Sequence, residues 1–190
     1  MRILVQSNRT FALFIAIFLA LFSNLAVTAT ASASSHASTL KNLGMNEIMF
    51  AQGMIPHHQQ AIDVSNMALK NGASAEVKRL AKGIISVQQK EISQLKYWLT
   101  ATESSMTMDH DMGMNGMLTK SDLAALKKLK GSKFNTAFLK AMIAHHEGAL
   151  QMVDLLNGTK NMEAKMVAAD ITKGQSSEIT FMKKLLIKTK

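Results

Sequence analysis

From Asn46 to Lys70 apolar side chains return every three to four residues, a helical period that Asn71-Gly72 closes. Ser74 opens a second amphipathic stretch running to about Leu99. Residues 100–118 lose the period and hold two glycines, so they read as a loop or linker. Thr119-Lys120-Ser121-Asp122 resembles a capping box with Asp in place of the usual Glu or Gln, and predicts a short helix. Lys127, Lys128, Lys130 and Gly131 end it, cations first and then glycine. Ser132 is placed to cap a helix to about Leu156, Asn157-Gly158 stops it, and a last helix fills 161–188. A single Pro and few β-branched runs argue against strands, and the predicted class is all-α.

The halves repeat. Met54-Ile-Pro-His57-His58-Gln-Gln-Ala61 matches Met142-Ile-Ala-His145-His146-Glu-Gly-Ala149, and each is followed by an Asn-Gly stop. Gln88-Gln-Lys-Glu91-Ile92 then matches Gln175-Ser-Ser-Glu178-Ile179. Two amphipathic hairpins with the same landmarks bury their stripes best against one another, which predicts a four-helix bundle made of duplicated hairpins.

The first 31 residues are of another kind. Arg2 and Arg9 precede an almost wholly apolar run from Thr10 to Phe22, and small residues follow around Ala29-Thr30-Ala31. That order is that of a secretory signal, and the run is short for the ~20 residues of a membrane span; an uncleaved anchor is the alternative. The predicted organisation is a signal peptide over 1–31 and a loose mature N-terminus over 32–44. The first hairpin follows over 45–100, a Met/His-rich linker over 101–120, and the short helix with the second hairpin over 121–190. Residues 45–190 make one domain, periplasmic or secreted, with no membrane attachment once the leader is cleaved.

Composition narrows the chemistry. The 190 residues include 15 Met and no Cys, which excludes disulfides, thiolate metal sites and thiol catalysis. Cleavage after residue 31 removes one Met, so the excess belongs to the working protein. The net charge of +9 is mostly scattered Lys; Arg79 is the one Arg beyond the leader, and aromatics are few, so no nucleic-acid partner is expected.

On a helix Met54, His57, His58 and Ala61 crowd one face, and Met142, His145, His146 and Ala149 repeat the arrangement. A lone core histidine is usually only a hydrogen-bonded packing residue, but two adjacent pairs, each one turn after a Met, point to metal. Di-iron bundles use Glu-x-x-His; this chain has Met-x-x-His twice and no Glu-x-x-His. A soft thioether in place of a hard carboxylate disfavours iron and favours copper, above all Cu(I), while imidazole serves either oxidation state. Gln88, Glu91, Gln175 and Glu178 fall in or beside the apolar stripes, where they are expected to accept His N–H bonds and fix ring orientation. The competing expectation turns Glu91 and Glu178 outward to Lys90 and Lys183.

In the linker Met106, Met108, His110, Met112, Met114 and Met117 mostly alternate with polar residues and Gly. Such alternation is no helical core stripe, and it suggests a flexible capture arm for Cu(I) or Ag(I), with Asp109 and Asp111 helping Cu(II); a biased linker without function is the alternative. Pro56 implies either a helix start or a kink, with Gly53 easing the bend.

The duplicated Met-Ile-x-His-His-x-x-Ala motif, each followed by Gln-x-x-Glu-Ile, resembles the ferritin-like family catalogued as domain of unknown function 305, over residues 45–188. The resemblance implies a ferritin-like four-helix bundle, export, and copper binding linked to copper tolerance. Carried onto this chain, the implied ligands are Met54, His57, His58, Met142, His145, His146 and Met152. Departures are Val64 where the first copy would carry a Met equivalent to Met152, Leu95 opposite Met182, and Asn135 where an Asp is common. They make the first site poorer in thioether.

The expected function is therefore a copper-binding protein that sequesters Cu(I) or Cu(II) or hands it to a periplasmic transporter or efflux component, without turnover. A cuprous oxidase and a non-metal helical stress or interaction module are the alternatives.

Overall fold

The computed structural model describes residue 40, residues 42–108 and residues 114–188, all of which lie in one compact unit, Thr39–Lys190. The proposed signal peptide, His110 and Met112 fall outside the described residues. Helices are α1 (Met45–Lys70), α2 (Ala75–Ala101), α3 (Lys120–Lys128), α4 (Gly131–Met152) and α5 (Met162–Lys188), with a 3-10 turn at Val153–Leu156. α1 packs along α2 and α4 along α5; the two hairpins meet chiefly where α1 faces α4, and α3 lies in the crossover.

The local signals work largely as the sequence predicts. Ser74 Oγ accepts from Val77 N at 3.3 Å and starts α2. The Thr119 capping box closes in both directions, Asp122 N donating to Thr119 Oγ1 and Thr119 N to Asp122 Oδ2. Gly72 and Gly158, in the two Asn-Gly stops, take positive φ. Three boundaries differ. Ser132 does not cap α4: the helix begins at Gly131, whose N–H donates to Asn71 O, while Lys130 Nζ donates to Asn71 Oδ1 and Asn71 Nδ2 to Lys127 O. The corner is tied to Asn71 instead. α4 also tightens to 3-10 geometry after Met152, short of Leu156. Finally, the stretch before α1 is not loose throughout, because Leu40 and Leu43 are buried in the core.

Pro56 neither starts nor ends a helix; α1 runs through it, with the ring exposed. Proline removes the N–H that the Gln52 carbonyl would otherwise accept, and next to water such a carbonyl can be hydrated.

The core has two apolar halves. One contains Ala61, Val64 and Ala68 of α1, Val77 to Ile84 of α2, Phe134 to Ile143 of α4, and Ile179 to Leu185 of α5. The other contains Phe50, Ala51 and Met54; Leu95, Trp98 and Leu99; Ala149; and Ala164, Val167 and Ile171. In each of the four long helices the change-over falls at the repeated polar motif. The break comes at His57-His58 in α1, between Gln88 and Glu91 in α2, at His145-His146 in α4, and between Gln175 and Glu178 in α5. A polar layer thus bisects the bundle. The repeat also crosses over: Met54 shares its half with Ala149, and Met142 shares the other with Ala61.

Candidate metal-binding layer

All four motif histidines are fully buried, and so are Met54 and Met142. The two His of each pair do different things, because neighbours on a helix point about 100° apart. His57 and His145 turn toward each other across the α1–α4 interface, ring centroids 3.8 Å apart and planes tilted by 40°. His58 and His146 turn toward the second helix of their own hairpins. His146 Nε2 lies 2.7 Å from Glu178 Oε2, and His58 Nε2 lies 2.8 Å from Glu91 Oε2, the latter in contact without hydrogen-bond alignment. The structure thus brings Glu91 and Glu178 to the histidines, not to Lys90 and Lys183; Lys183 instead pairs with Glu147.

These partners set tautomers. A carboxylate beside Nε2 favours the proton there, and the Asn115 carbonyl, 3.2 Å from His57 Nε2, can only accept. In His57, His58 and His146, Nδ1 is then left with its lone pair. Nδ1 of all four rings lacks a hydrogen-bond partner, as do both nitrogens of His145 and both amide atoms of Gln88 and Gln175. The two glutamines are buried in the layer but do not accept the expected His N–H bonds. Leaving a buried polar atom unpaired costs about 1–3 kcal/mol, and a cluster of such atoms in a core is unusual in a native fold.

Electrostatics keeps the central pair neutral. Burial, with the like charge of His58 adding to it and the Asn115 carbonyl opposing, pushes His57 down to about 4. Burial first, and then the neighbouring His57, His146 and His58, pushes His145 down to about 2. Neutral imidazole is the form that ligates a metal. Among the described residues no three His, Asp or Glu side chains are gathered as a ready-made centre. The donors the layer offers are imidazole nitrogens, with the thioethers Met54 and Met142 buried in the apolar halves on either side, and nitrogen with soft sulfur suits copper better than hard cations. A Glu behind each outer His matches the carboxylate–His pairing that orients ligands in metal sites.

Met152 packs, partly buried, against the apolar half that holds Met54. Its tip is at Gly53, in a cavity of about 170 Å³ that Met108 and Met114 also line. The linker Met residues divide further: Met117 lines a different cavity, and Met106 is exposed. Nor is the described part of the linker a free arm. Gln60 clamps Leu118 through both its amide atoms, at 2.9 and 2.7 Å, and Asn115 Nδ2 donates to Gln151 Oε1 at 2.7 Å. Residues 114–118 form a cover over the central His pair. Sequence reasoning missed Asn115, Gln60, Gln151 and Gly148 as parts of the site. The one available signal was the departure of Gly148 from Gln60 at equivalent motif positions.

The family known as Domain of unknown function (DUF305) matches residues 47–186. The chain belongs to this family. A family member from Streptomyces coelicolor is 28% identical, with a TM-score of 0.71 over 76% of this chain and 93% of that one. A fragment from Deinococcus radiodurans is also 28% identical, with a TM-score of 0.70 over 76% and 97%. CopM in its Cu(II)-bound form is 32% identical, with a TM-score of 0.65 over 75% and 96%; CopM has also been solved with Cu(I) and with Ag bound. No curated protein matches the chain. Among the described residues of this DUF305 protein, no helix is long and apolar enough to cross a membrane.

Proposed function

We propose that this DUF305 protein is an exported copper-binding protein that sequesters Cu(I) and Cu(II), or hands the ion to a transporter or efflux component, and so contributes to copper tolerance. The observation that carries this reading is the buried layer of four histidines whose Nδ1 atoms lack partners, set between Met54 and Met142, with its central pair held neutral by burial. Copper and silver forms of CopM support it. His57, His58, His145 and His146 supply nitrogen, Met54 and Met142 supply sulfur for Cu(I), and Glu91 and Glu178 hold the outer rings. The leader-like N-terminus supports export, and the absence of Cys suits binding without thiol redox chemistry.

An anaerobic Cu(I) competition titration against a coloured chelator tests the reading, run on the exported protein and on His58→Gln/His146→Gln. Binding should weaken by at least ~100-fold in the variant, in line with removing ligands rather than their supports. Equal competition by both forms, or none by either, defeats the assignment. The protein acts by binding and not by turnover, so sustained oxygen consumption with Cu(I) would show an oxidase instead.

A further inference from the structure

The tips of three methionines meet at one point on α1. A Cβ built on Gly53 would lie 3.1 Å from Met152 Cε, 3.5 Å from Met108 Cε and 3.9 Å from Met114 Sδ. Met49, one turn before Gly53, lines the same half-buried cavity of about 170 Å³. Among the described residues no carboxylate or imidazole lines it, and its polar wall, Asn115 and Gln151, is already hydrogen-bonded to itself. Methionine packs irregular gaps well enough to make this a packing accident. The duplication supplies an internal control. The positions equivalent to Met49 and Gly53 are Ala137 and Ala141, and the cavity they line holds a single methionine, Met117. A groove of the same origin thus forms with one thioether, yet on the α1 side four of them gather around a residue with no side chain.

We propose that the Gly53 cavity is a second binding site, all-thioether, for a soft monovalent cation of the Cu(I) or Ag(I) class, separate from the histidine layer. Thioether sulfur is neutral and soft, so the site takes monovalent Cu(I) or Ag(I) and discriminates against Cu(II), Zn(II) and harder ions. Gly53 leaves the room that the converging side chains and an ion require. Asn115 joins the two sites: its side chain walls the thioether cavity and its backbone carbonyl holds His57. The half-buried cavity lies one helical turn before His57 on α1, so it is a landing place beside the buried layer. The inference rests on the soft-metal reading above but not on the histidines.

Methionine-methyl NMR of the exported protein labelled at the methyl carbon tests it, with Ag(I) as a redox-inert probe and Met→Leu variants to assign resonances. The methyl signals of Met49, Met108, Met114 and Met152 should shift together and saturate as one site, and Met108→Leu/Met114→Leu should lower Ag(I) stoichiometry by one ion in native mass spectrometry. Shifts confined to Met54 and Met142, with those four unmoved at saturation, overturn the second site while leaving the histidine layer standing. If no methionine moves and no ion is retained, both readings fail.

Discussion

At the scale of single residues, contact geometry decides what each repeated position does. Gly148 lies so close under the linker that a Cβ there would stand 2.0 Å from Asn115 O. Gly148→Ala must therefore lift residues 114–118 and break the hold of Asn115 on His57. Even against the roughly 1 kcal/mol that Ala gains over Gly in a helix, overpacking of this kind should cost about 2 kcal/mol net, read as a lower urea midpoint at unchanged m-value. Gly174 has nothing within 4 Å, so Gly174→Ala should raise stability by about 0.5–1 kcal/mol. Equal effects at the two positions would contradict the packed cover. Glu178→Gln keeps the shape of the side chain but weakens its pull on His146 Nε2–H; copper affinity should fall ~10–100-fold, measured by the same chelator competition. Much of this could be read from sequence only in outline. The Met-x-x-His-His face was visible in the helical period, but which His meets its twin and which meets a Glu depends on how α1 is rotated against α4. Gly53 looked like a backbone hinge for Pro56 because its other use, space for Met tips from a distant helix and a loop, leaves no local pattern.

At the scale of elements, the four long helices were legible because caps, Asn-Gly stops and the apolar period agreed with one another. The misreadings came where a long-range bond outbid a local signal. Ser132 is a good cap residue, yet Asn71 takes over the α3–α4 corner from a hairpin away. The linker was the hardest element to read. Its polar, Gly-containing alternation matched a mobile arm, whereas Gln60 and Gly148, equivalent positions in the two motifs, both serve to seat it: one by hydrogen bonds, the other by giving way. Gln60→Ala removes both bonds to Leu118 at once. Losing about 1.4 kcal/mol of local protection corresponds to a tenfold change in the opening equilibrium. The Leu118 amide should therefore exchange about ten times faster with deuterium, while global unfolding moves little because the four-helix core is untouched. An unchanged Leu118 exchange rate would mean that other contacts, such as Asn115 on Gln151, seat the cover.

At the scale of the whole molecule, a polar layer through the middle of a core makes stability depend on pH, and the direction follows from the central pair. Unfolded, His57 and His145 take up protons near 6.5; folded, burial holds them down to about 4 and about 2. The unfolded chain therefore binds more protons than the folded one as pH falls below 6.5. The stability from these neutral rings is fully present above that value and drains away toward acid, by about 1.4 kcal/mol per pH unit for each group. Between pH 7 and pH 5 this amounts to roughly 3–4 kcal/mol, a large share of the ~5–15 kcal/mol that holds a domain together. The titratable groups beside the pair are His58 and His146, each of which has a carboxylate against it in turn, Glu91 and Glu178. The metal-free protein should lose roughly 10 °C of Tm over that interval, and His57→Gln, which deletes one of the two groups, should flatten the slope by about half. A copper-loaded sample should show a steeper acid loss still, because the ion competes with protons for the same nitrogens. A Tm independent of pH between 7 and 5 in the metal-free protein would mean that the layer accepts protons in the folded state. Burial would then not be holding His57 and His145 neutral below their ordinary pKa, and the copper reading would lose the electrostatic part of its support.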